Sequence, residues 1–227
     1  MSPREPGVFV FPGAGSFGGE LRPLVGELAP GAWVVRYPGR FGKDFGSTAG
    51  SFDDTVEACV GQVRRRPNRP VLVGHSFGAY VAYAAAARLE QLGTRVSALA
   101  VAGATAPSLL TVPEAATRSR TDAETYLESI DPGLLSKQSG EWRDVVLDTL
   151  AHDLRQLGEF TASEFPEVRC PVFTACGTAD PLASADGMGG WAAVTAAGCA
   201  HRDFPGGHSD LLHSPEFAVW LREVRDR

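Results

Sequence analysis

The stretch Val71-Leu72-Val73-Gly74-His75-Ser76-Phe77-Gly78-Ala79 decides the fold of this 227-residue chain. An apolar, β-branched run opens it and an alanine-rich segment follows, which predicts a buried strand that leads directly into a helix. Gly74, Ser76 and Gly78 form a G-x-S-x-G pattern, in which the glycines leave room for a sharp turn that lifts the serine hydroxyl above the sheet. We therefore predict that Ser76 is a nucleophile; a glycine and serine turn without chemistry is the alternative.

On both sides of this stretch, short apolar runs alternate with longer helical patterns, as in a parallel sheet with crossover helices. The predicted strands are residues 7–11, 32–37, 71–74, 96–102, 171–176 and 201–204. The helical patterns are residues 20–28, 52–65, 76–92 and 215–225. Because the strands are almost continuously apolar, we predict an α/β fold with a mostly parallel central sheet and helices on both faces.

Between residues 107 and 166 this alternation stops. The segment carries two helical patterns, residues 122–130 and 141–160, and the second has an apolar stripe at three- to four-residue spacing. An all-helical insertion between two parallel strands can cover the strand ends, where the active sites of such folds lie. We expect a single domain over residues 1–227 with a helical lid at about 107–166; additional core helices without a gating role are the alternative.

Five histidines compete for the role of general base. His208 ends the glycine-rich loop Phe204-Pro205-Gly206-Gly207-His208, at the carboxyl end of the last predicted strand. It therefore emerges on the same face as Ser76, and we predict that it is the base. The other four are less well placed: His75 lies inside the turn, His152 in the insertion, His201 at the start of a strand and His213 before the last helix.

Asp180 is the predicted acid, because Cys176-Gly177-Thr178-Ala179-Asp180-Pro181 follows the carboxyl end of the penultimate strand. The chain order of serine, aspartate and histidine is that of the α/β-hydrolases, and we expect that fold. In some hydrolases the acid follows an earlier strand, but here that position reads Gly103-Ala104-Thr105 and holds no carboxylate. Asp186 and Asp203 are weaker alternatives, one further along the loop and the other within a strand.

Two backbone N–H groups are predicted to stabilise the oxyanion formed by attack on a carbonyl carbon. Phe77 begins the helix after Ser76, and Ala14 lies in the loop after the first strand. Residues 13–18 of that loop also spell G-x-G-x-x-G, a dinucleotide fingerprint. An NAD site needs an acidic residue near the end of the next strand, which residues 33–38 lack. An NADP-binding protein that uses Arg36 for the 2′-phosphate remains a distant alternative.

Composition restricts the partners of the chain. The formal net charge of −6 argues against nucleic acid, since phosphate contacts require a basic face. No run approaches the roughly 20 apolar residues of a membrane span, and residues 1–7 do not have the pattern of a signal peptide. We expect a cytoplasmic monomer without a membrane partner. The four cysteines lack C-x-x-C spacing, which predicts buried thiols, and we expect neither a metal nor a cofactor.

Four segments together resemble the stand-alone type II thioesterases of polyketide and nonribosomal peptide synthesis. They are Phe11-Pro12-Gly13-Ala14-Gly15, Tyr37-Pro38-Gly39-Arg40, Gly74-His75-Ser76-Phe77-Gly78-Ala79 and Phe204-Pro205-Gly206-Gly207-His208. The match runs in order over nearly the whole chain, and the Y-P-G-R segment is the most specific because generic lipases and esterases lack it. The resemblance implies hydrolysis of acyl thioesters on the phosphopantetheine arm of an acyl or peptidyl carrier protein, to edit or release chains.

Three features depart from the pattern of that family. Phe77 stands where methionine is common, Ser209-Asp210 follows the predicted base where aromatic residues are more usual, and the insertion is short. The first two leave the predicted triad intact but bear on the preference for acyl chains. The third bears on the behaviour of the lid.

Basic residues occur at both edges of the predicted sheet. Arg36, Arg40 and Lys43 follow a strand on the catalytic side, and we predict that they contact the carrier or the pantetheine phosphate; a solvated loop is the alternative. The more basic run at residues 64–69 lies at the opposite edge, where cations suit a helix C-terminus.

Competing functions are a general carboxylesterase on soluble esters, a cyclising or product-releasing thioesterase and a non-catalytic protein with this fold.

Overall fold

The computed structural model describes residues 6–66, 69–112, 114–132, 134–135, 140–161 and 164–227. Its strands are β1 (Val8–Phe11), β2 (Ala32–Val34), β3 (Val71–His75), β4 (Ala98–Ala102), β5 (Val172–Gly177) and β6 (Cys199–Phe204). Its helices are α1 (Arg22–Glu27), α2 (Phe52–Arg64), α3 (Phe77–Gln91), α4 (Arg120–Ile130), α5 (Gly140–Glu159), α6 (Ala185–Gly189) and α7 (Pro215–Arg225). The strands form one sheet in the order β2-β1-β3-β4-β5-β6, and all neighbouring pairs are parallel.

The alternation of side chains along the strands divides the core into two layers. On β1, Val8 and Val10 pack in the cluster that contains α1 and α7, whereas Phe9 and Phe11 pack in the cluster that contains α2 and α3. Both faces of the sheet are therefore covered, which explains why the central strands are apolar throughout. The edge strand β6 differs, because only its last residue, Phe204, is fully buried.

The predicted α/β architecture with a parallel sheet is confirmed, with shifts at the ends of elements. Strand β2 was expected to reach residue 37 but ends at Val34. After the hydrogen bond from Val35 N–H to Val10 O (2.8 Å), the chain leaves the sheet and carries Tyr37 towards the loop after β1. The short helix α6 was not predicted, because two of its five residues are glycines, which are poor helix formers. The Ser184 hydroxyl begins it by accepting a hydrogen bond from Gly187 N–H (3.2 Å).

Between β4 and β5, the described residues contain α4 and α5 and no strand. The two helices share a separate apolar cluster that includes Ala123, Leu127 and Leu150. The carboxyl-terminal half of α5 is tied to the rest of the fold, since Gln156 accepts a hydrogen bond from Thr55 (2.8 Å). Residues 113, 133, 136–139 and 162–163 of the predicted insertion lie outside the described residues.

Two further expectations concern the burial of the cysteine thiols and the presence of a membrane-spanning helix. All four thiols are free; Cys59, Cys170 and Cys176 are buried, but Cys199 is only half-buried. The prediction of four buried thiols is thus wrong for Cys199, which lies on the edge strand. In the part of the chain that the structure describes, no helix combines the length and the apolar character needed to cross a membrane.

Candidate active site

Ser76 lies on the turn between β3 and α3 in a backbone conformation that side chains rarely adopt. Its φ is 54° and its ψ is −124°, and among the described residues it is the only non-glycine residue with a positive φ. The flanking glycines make this turn possible. A Cβ at Gly74 would lie 2.5 Å from the Cα of Ala79, and one at Gly78 would lie 2.5 Å from the carbonyl oxygen of Pro12. Strained backbone of this kind is typical of functional sites.

His208 and Asp180 meet at the carboxyl ends of β5 and β6. Nδ1 of His208 lies 3.0 Å from both carboxylate oxygens of Asp180, and both side chains are buried. Burial alone would raise the pKa of Asp180, but the hydrogen bond and charge of His208 and the N–H of Leu182 together hold that pKa below its ordinary value. The ionised carboxylate therefore accepts from Nδ1–H, and this tautomer leaves Nε2 free to take a proton.

Gly103, at the end of β4, makes room for this pair. Its φ is +61°, and a Cβ there would lie 3.2 Å from Oδ2 of Asp180 and 3.2 Å from Cε1 of His208. In the sequence, this position was of interest only as an alternative place for the acid, and it holds no carboxylate. The structure shows that glycine is needed here, because any larger residue would press on the side chains of Asp180 and His208.

One cavity of about 710 Å³ lies over Ser76 and His208 and is also lined by Ala14 and Phe77. The N–H of Phe77 is in the first turn of α3 and so has no acceptor within the helix. The described residues include no hydrogen bond between Ser76 Oγ and His208, and such bonds are often long until substrate binds. The insertion supplies much of the apolar wall: Leu127, Ile130, Leu135, Val146, Leu150, Leu154 and Leu157.

The sequence profile of the thioesterase domain family matches residues 6–222. The chain belongs to the thioesterase family. Thioesterase TesA of Mycobacterium marinum is 26% identical over 89% of this chain and 84% of its own length. Thioesterase PikA5 of Streptomyces venezuelae is 30% identical over 85% of this chain and 68% of its own length. The solved type II thioesterase BorB, from the borrelidin biosynthetic cluster, is 26% identical with a TM-score of 0.84, covering 99% of this chain and 94% of BorB.

These comparisons confirm the resemblance that the four motifs carry, the α/β-hydrolase fold and the assignment as a thioester hydrolase. The roles of individual residues in this thioesterase remain predictions, to which the structure adds two residues that sequence reasoning missed. Gly103 is the first of them. The signal for it was its place directly after a central strand, on the catalytic edge of the sheet.

His75 is the second, and it holds the loop of the base. Its Nε2 lies 2.9 Å from the carbonyl oxygen of His208, and the two rings are 4.8 Å apart between centroids. Burial, reinforced by the neighbouring His208, lowers the pKa of His75 to about 3. The imidazole is therefore neutral and donates from Nε2–H to the carbonyl, which positions the backbone of the base. The sequence excluded His75 as a base but gave it no other role.

The alternative acids of the thioesterase are engaged elsewhere. Asp203 accepts hydrogen bonds from Nε2 of His201 (2.9 Å) and from the thiol of Cys176 (3.3 Å), and Asp186 lies in the first turn of α6. Cys176, His201 and Asp203 bring their donor atoms within 4.8 Å of one another, a spacing that could hold a metal ion. None of these three residues lines the cavity over Ser76.

The three basic residues predicted to contact a carrier fall into two environments. Arg36 and Lys43 are exposed, and the Arg36 guanidinium lies 5.0 Å from the centroid of the Phe41 ring. Arg40 is only 4% exposed and forms a buried ion pair with Asp153 of α5. The prediction that Arg40 contacts a carrier is therefore wrong, because its side chain turns inward beneath the loop after β1.

Proposed function

We propose that this thioesterase hydrolyses acyl thioesters held on the phosphopantetheine arm of acyl or peptidyl carrier proteins, and so edits or releases chains in polyketide or nonribosomal peptide biosynthesis. The observation that carries the proposal is the cavity that joins Ser76, His208 and a long apolar wall. The relative BorB, from a biosynthetic cluster, and the motif set of type II thioesterases support the choice of pathway.

In the first half of the proposed reaction, Nε2 of His208 takes the proton of the Ser76 hydroxyl while the oxygen attacks the thioester carbonyl carbon. The negative charge that develops on the carbonyl oxygen is stabilised by the N–H groups of Phe77 and Ala14. The C–S bond then breaks, and the imidazolium gives its proton to the departing pantetheine thiolate. Asp180 keeps the imidazole in the required tautomer and stabilises its positive charge.

In the second half, His208 takes a proton from a water molecule, which attacks the carbonyl carbon of the acyl-serine. The ester bond breaks, Ser76 regains its proton from the imidazolium, and the free acid leaves. Both halves use the same base and the same oxyanion donors, so no cofactor enters the scheme.

The apolar wall beside Ser76 favours an aliphatic or aromatic acyl group over a charged one. Leu127 and Ile130 come from α4, whereas Leu150 and Leu154 come from α5. The wall is thus built mainly by the insertion. We therefore assign the choice of acyl chain mainly to the insertion rather than to the sheet.

We propose that the insertion also acts as a lid, in which only part of it moves. The carboxyl-terminal half of α5 is tied down, since Gln156 donates to the carbonyl of Ser51 (3.0 Å) and Glu159 accepts from Phe52 N–H (3.0 Å). The ion pairs of Arg120 on α4, by contrast, run only to α5 and are half-exposed, so they contribute little. Opening would therefore involve α4 and the first turns of α5.

The carrier is proposed to dock beside the mouth of the cavity. Phe17 lines the cavity, and its ring packs on Trp142 (4.6 Å between centroids) and on Phe45 (6.3 Å). Trp142 and Phe45 are 37% and 50% exposed, so together with Phe17 they present an apolar patch at the surface. With the exposed cations Arg36 and Lys43 on the neighbouring loop, this rim suits an acidic protein surface with an apolar centre.

The experiment compares kcat/KM for one acyl group on a carrier protein and on a short synthetic thiol. We expect the carrier substrate to be preferred, and we expect Arg36→Glu with Lys43→Glu to reduce the preference, as should rising salt. Arg69→Glu with Arg95→Glu, two exposed cations that precede β3 and β4 at the opposite edge of the sheet, is the matched control and should leave it unchanged. Equal efficiency on both substrates would favour a general carboxylesterase.

A further inference from the structure

A buried ion pair holds the loop on which one oxyanion donor lies. The side chains of Arg40 and Asp153 are 4% and 3% exposed, and Nη2 of Arg40 donates to both carboxylate oxygens of Asp153. Oδ2 of Asp153 also accepts the backbone N–H of Gly15 at 2.7 Å, and the Arg40 guanidinium donates to the carbonyl oxygen of Ser16. Two successive residues of the loop after β1 are therefore bound, one by each partner of the pair.

The first residue of the Y-P-G-R segment holds the same loop from its other end. The Tyr37 hydroxyl donates to the carbonyl oxygen of Pro12 at 2.8 Å, and its ring lies under the Arg40 guanidinium, 4.7 Å from ring centroid to Cζ. Tyr37 is buried, and burial raises its pKa well above the ordinary value, so the hydroxyl stays a donor. Ala14 thus lies in a loop fixed at Pro12, at Gly15 and at Ser16.

The helix that supplies Asp153 is also in direct contact with the loop. Gly15 has a φ of +73°, and a Cβ there would lie 3.1 Å from Cβ of Leu150 and 3.3 Å from the carbonyl oxygen of Val146. The loop backbone therefore packs against α5 with no side chain between them. Any shift of this part of α5 would be transmitted to the residue beside Ala14.

Stability alone is a weak explanation for this pair. Two buried charges lose their hydration, and an apolar pair of similar volume often gives an equally stable protein. What an apolar pair cannot replace is a carboxylate that accepts from Gly15 N–H and a guanidinium that donates to Ser16. The directional hydrogen bonds are thus the property that the charges add here.

We propose that Arg40 and Asp153 are positioning residues that set the orientation of the Ala14 N–H in the oxyanion hole, with Tyr37 as a third support. The inference rests on the proposed function, because it assumes that Ala14 is an oxyanion donor. It makes α5 part of the catalytic apparatus: the helix that lines the acyl cavity also holds the loop that stabilises the transition state. It also gives the Y-P-G-R segment a physical role at both of its ends.

The test replaces both charges at once, with Arg40→Met and Asp153→Leu in one variant. An apolar pair fits the buried site but leaves the Gly15 N–H and the Ser16 carbonyl without partners, so the melting temperature should fall by several degrees while the protein stays folded at the assay temperature. We expect kcat to fall about 10- to 100-fold, with KM changed less than about threefold, since the lost contact acts on the oxyanion and not on the bound substrate. Affinity for an alkyl boronic acid, which forms a tetrahedral adduct with the serine, should fall by a similar factor, whereas affinity for a thioether analogue should not.

Two further variants separate positioning from folding. Thr195→Val removes a buried hydroxyl that donates to the carbonyl oxygen of Cys170 (2.7 Å), away from the cavity and from α5, so it should lower the melting temperature and leave kcat unchanged. Tyr37→Phe removes a single hydroxyl, keeps the ring and should lower kcat several-fold even if the double variant does not fold. Three results would each overturn the inference. The first is a double variant with the parent kcat, and the second is an unchanged kcat in Tyr37→Phe. The third is a loss of kcat that follows the loss of melting temperature in all variants. Failure of the parent protein to hydrolyse thioesters or react with the boronic acid would instead overturn the proposed function.

Discussion

Gly103→Ala tests whether the close contact of β4 with the Asp180–His208 pair matters for turnover. A Cβ at Gly103 would lie 3.2 Å from Oδ2 of Asp180 and 3.2 Å from Cε1 of His208. Ordinary contacts of carbon atoms begin near about 3.5 Å, so the pair must move by at least about 0.3 Å. Because a displacement of about 1 Å near a catalytic group can cost about 100-fold, a shift of about 0.3 Å should lower kcat by at least about fourfold.

The substitution also carries a backbone cost, which a second variant isolates. Gly103 has a φ of +61°, and an alanine in this left-handed region costs about 1 kcal/mol of stability. Gly93→Ala, at a φ of +79° with no atom within 4 Å of the new Cβ, should show the same loss of stability and none of the loss of kcat. Steady-state hydrolysis of an acyl thioester and thermal unfolding provide the two readouts.

Either of two results would refute this reasoning about Gly103. If Gly103→Ala kept the parent kcat, the close packing of β4 against the acid and base would have no part in catalysis. If Gly93→Ala lost as much kcat as Gly103→Ala, the effect would come from backbone strain rather than from the contact.

Two further predictions concern the acid and the buried histidine. Asp180→Asn should keep the fold but lower kcat by up to about 10⁴-fold, because His208 would adopt the wrong tautomer; a crippled Asp203→Asn or Asp186→Asn with a mild Asp180→Asn would reassign the acid. The pKa of His75 is lowered from 6.5 to about 3, so between these values the unfolded chain binds one proton more than the folded protein. The free energy of unfolding should therefore fall by about 1.4 kcal/mol for each pH unit below about 6 on account of this residue. In urea unfolding of His75→Gln from pH 4 to 6, the free energy of unfolding should depend less steeply on pH than in the parent, by this amount. An equal pH dependence in the two proteins would contradict a buried, neutral His75.

Much of the fold could be predicted because central parallel strands have an easily recognised sequence pattern, a short and continuously apolar run. Strands β3, β4 and β5 are covered on both faces, so they are short apolar runs between helical patterns. This pattern is weaker in the two edge strands of the sheet. Strand β2 stops where its pairing with β1 stops, and β6 carries polar side chains on exposed positions.

The part of the site that could be predicted consists of residues that directly follow the carboxyl ends of strands. Asp180 and His208 follow neighbouring parallel strands, and the carboxyl ends of such strands meet at one edge. Position in the chain does not give the direction of a side chain, and this is why Arg40 was assigned to the surface. Its partner Asp153 lies 113 residues further on, in a helix whose docking depends on the whole core.

The most direct test of the central claim, thioester hydrolysis through Ser76, is to map the site of covalent capture in the actively hydrolysing protein. The protein is treated with a serine-directed phosphonate until turnover of an acyl-loaded carrier stops, and the label is located by peptide mass spectrometry. We predict one label, on Ser76, with no label and at least about 10⁴-fold lower turnover in Ser76→Ala. A label on another residue, or near-parent turnover by Ser76→Ala, would contradict the account.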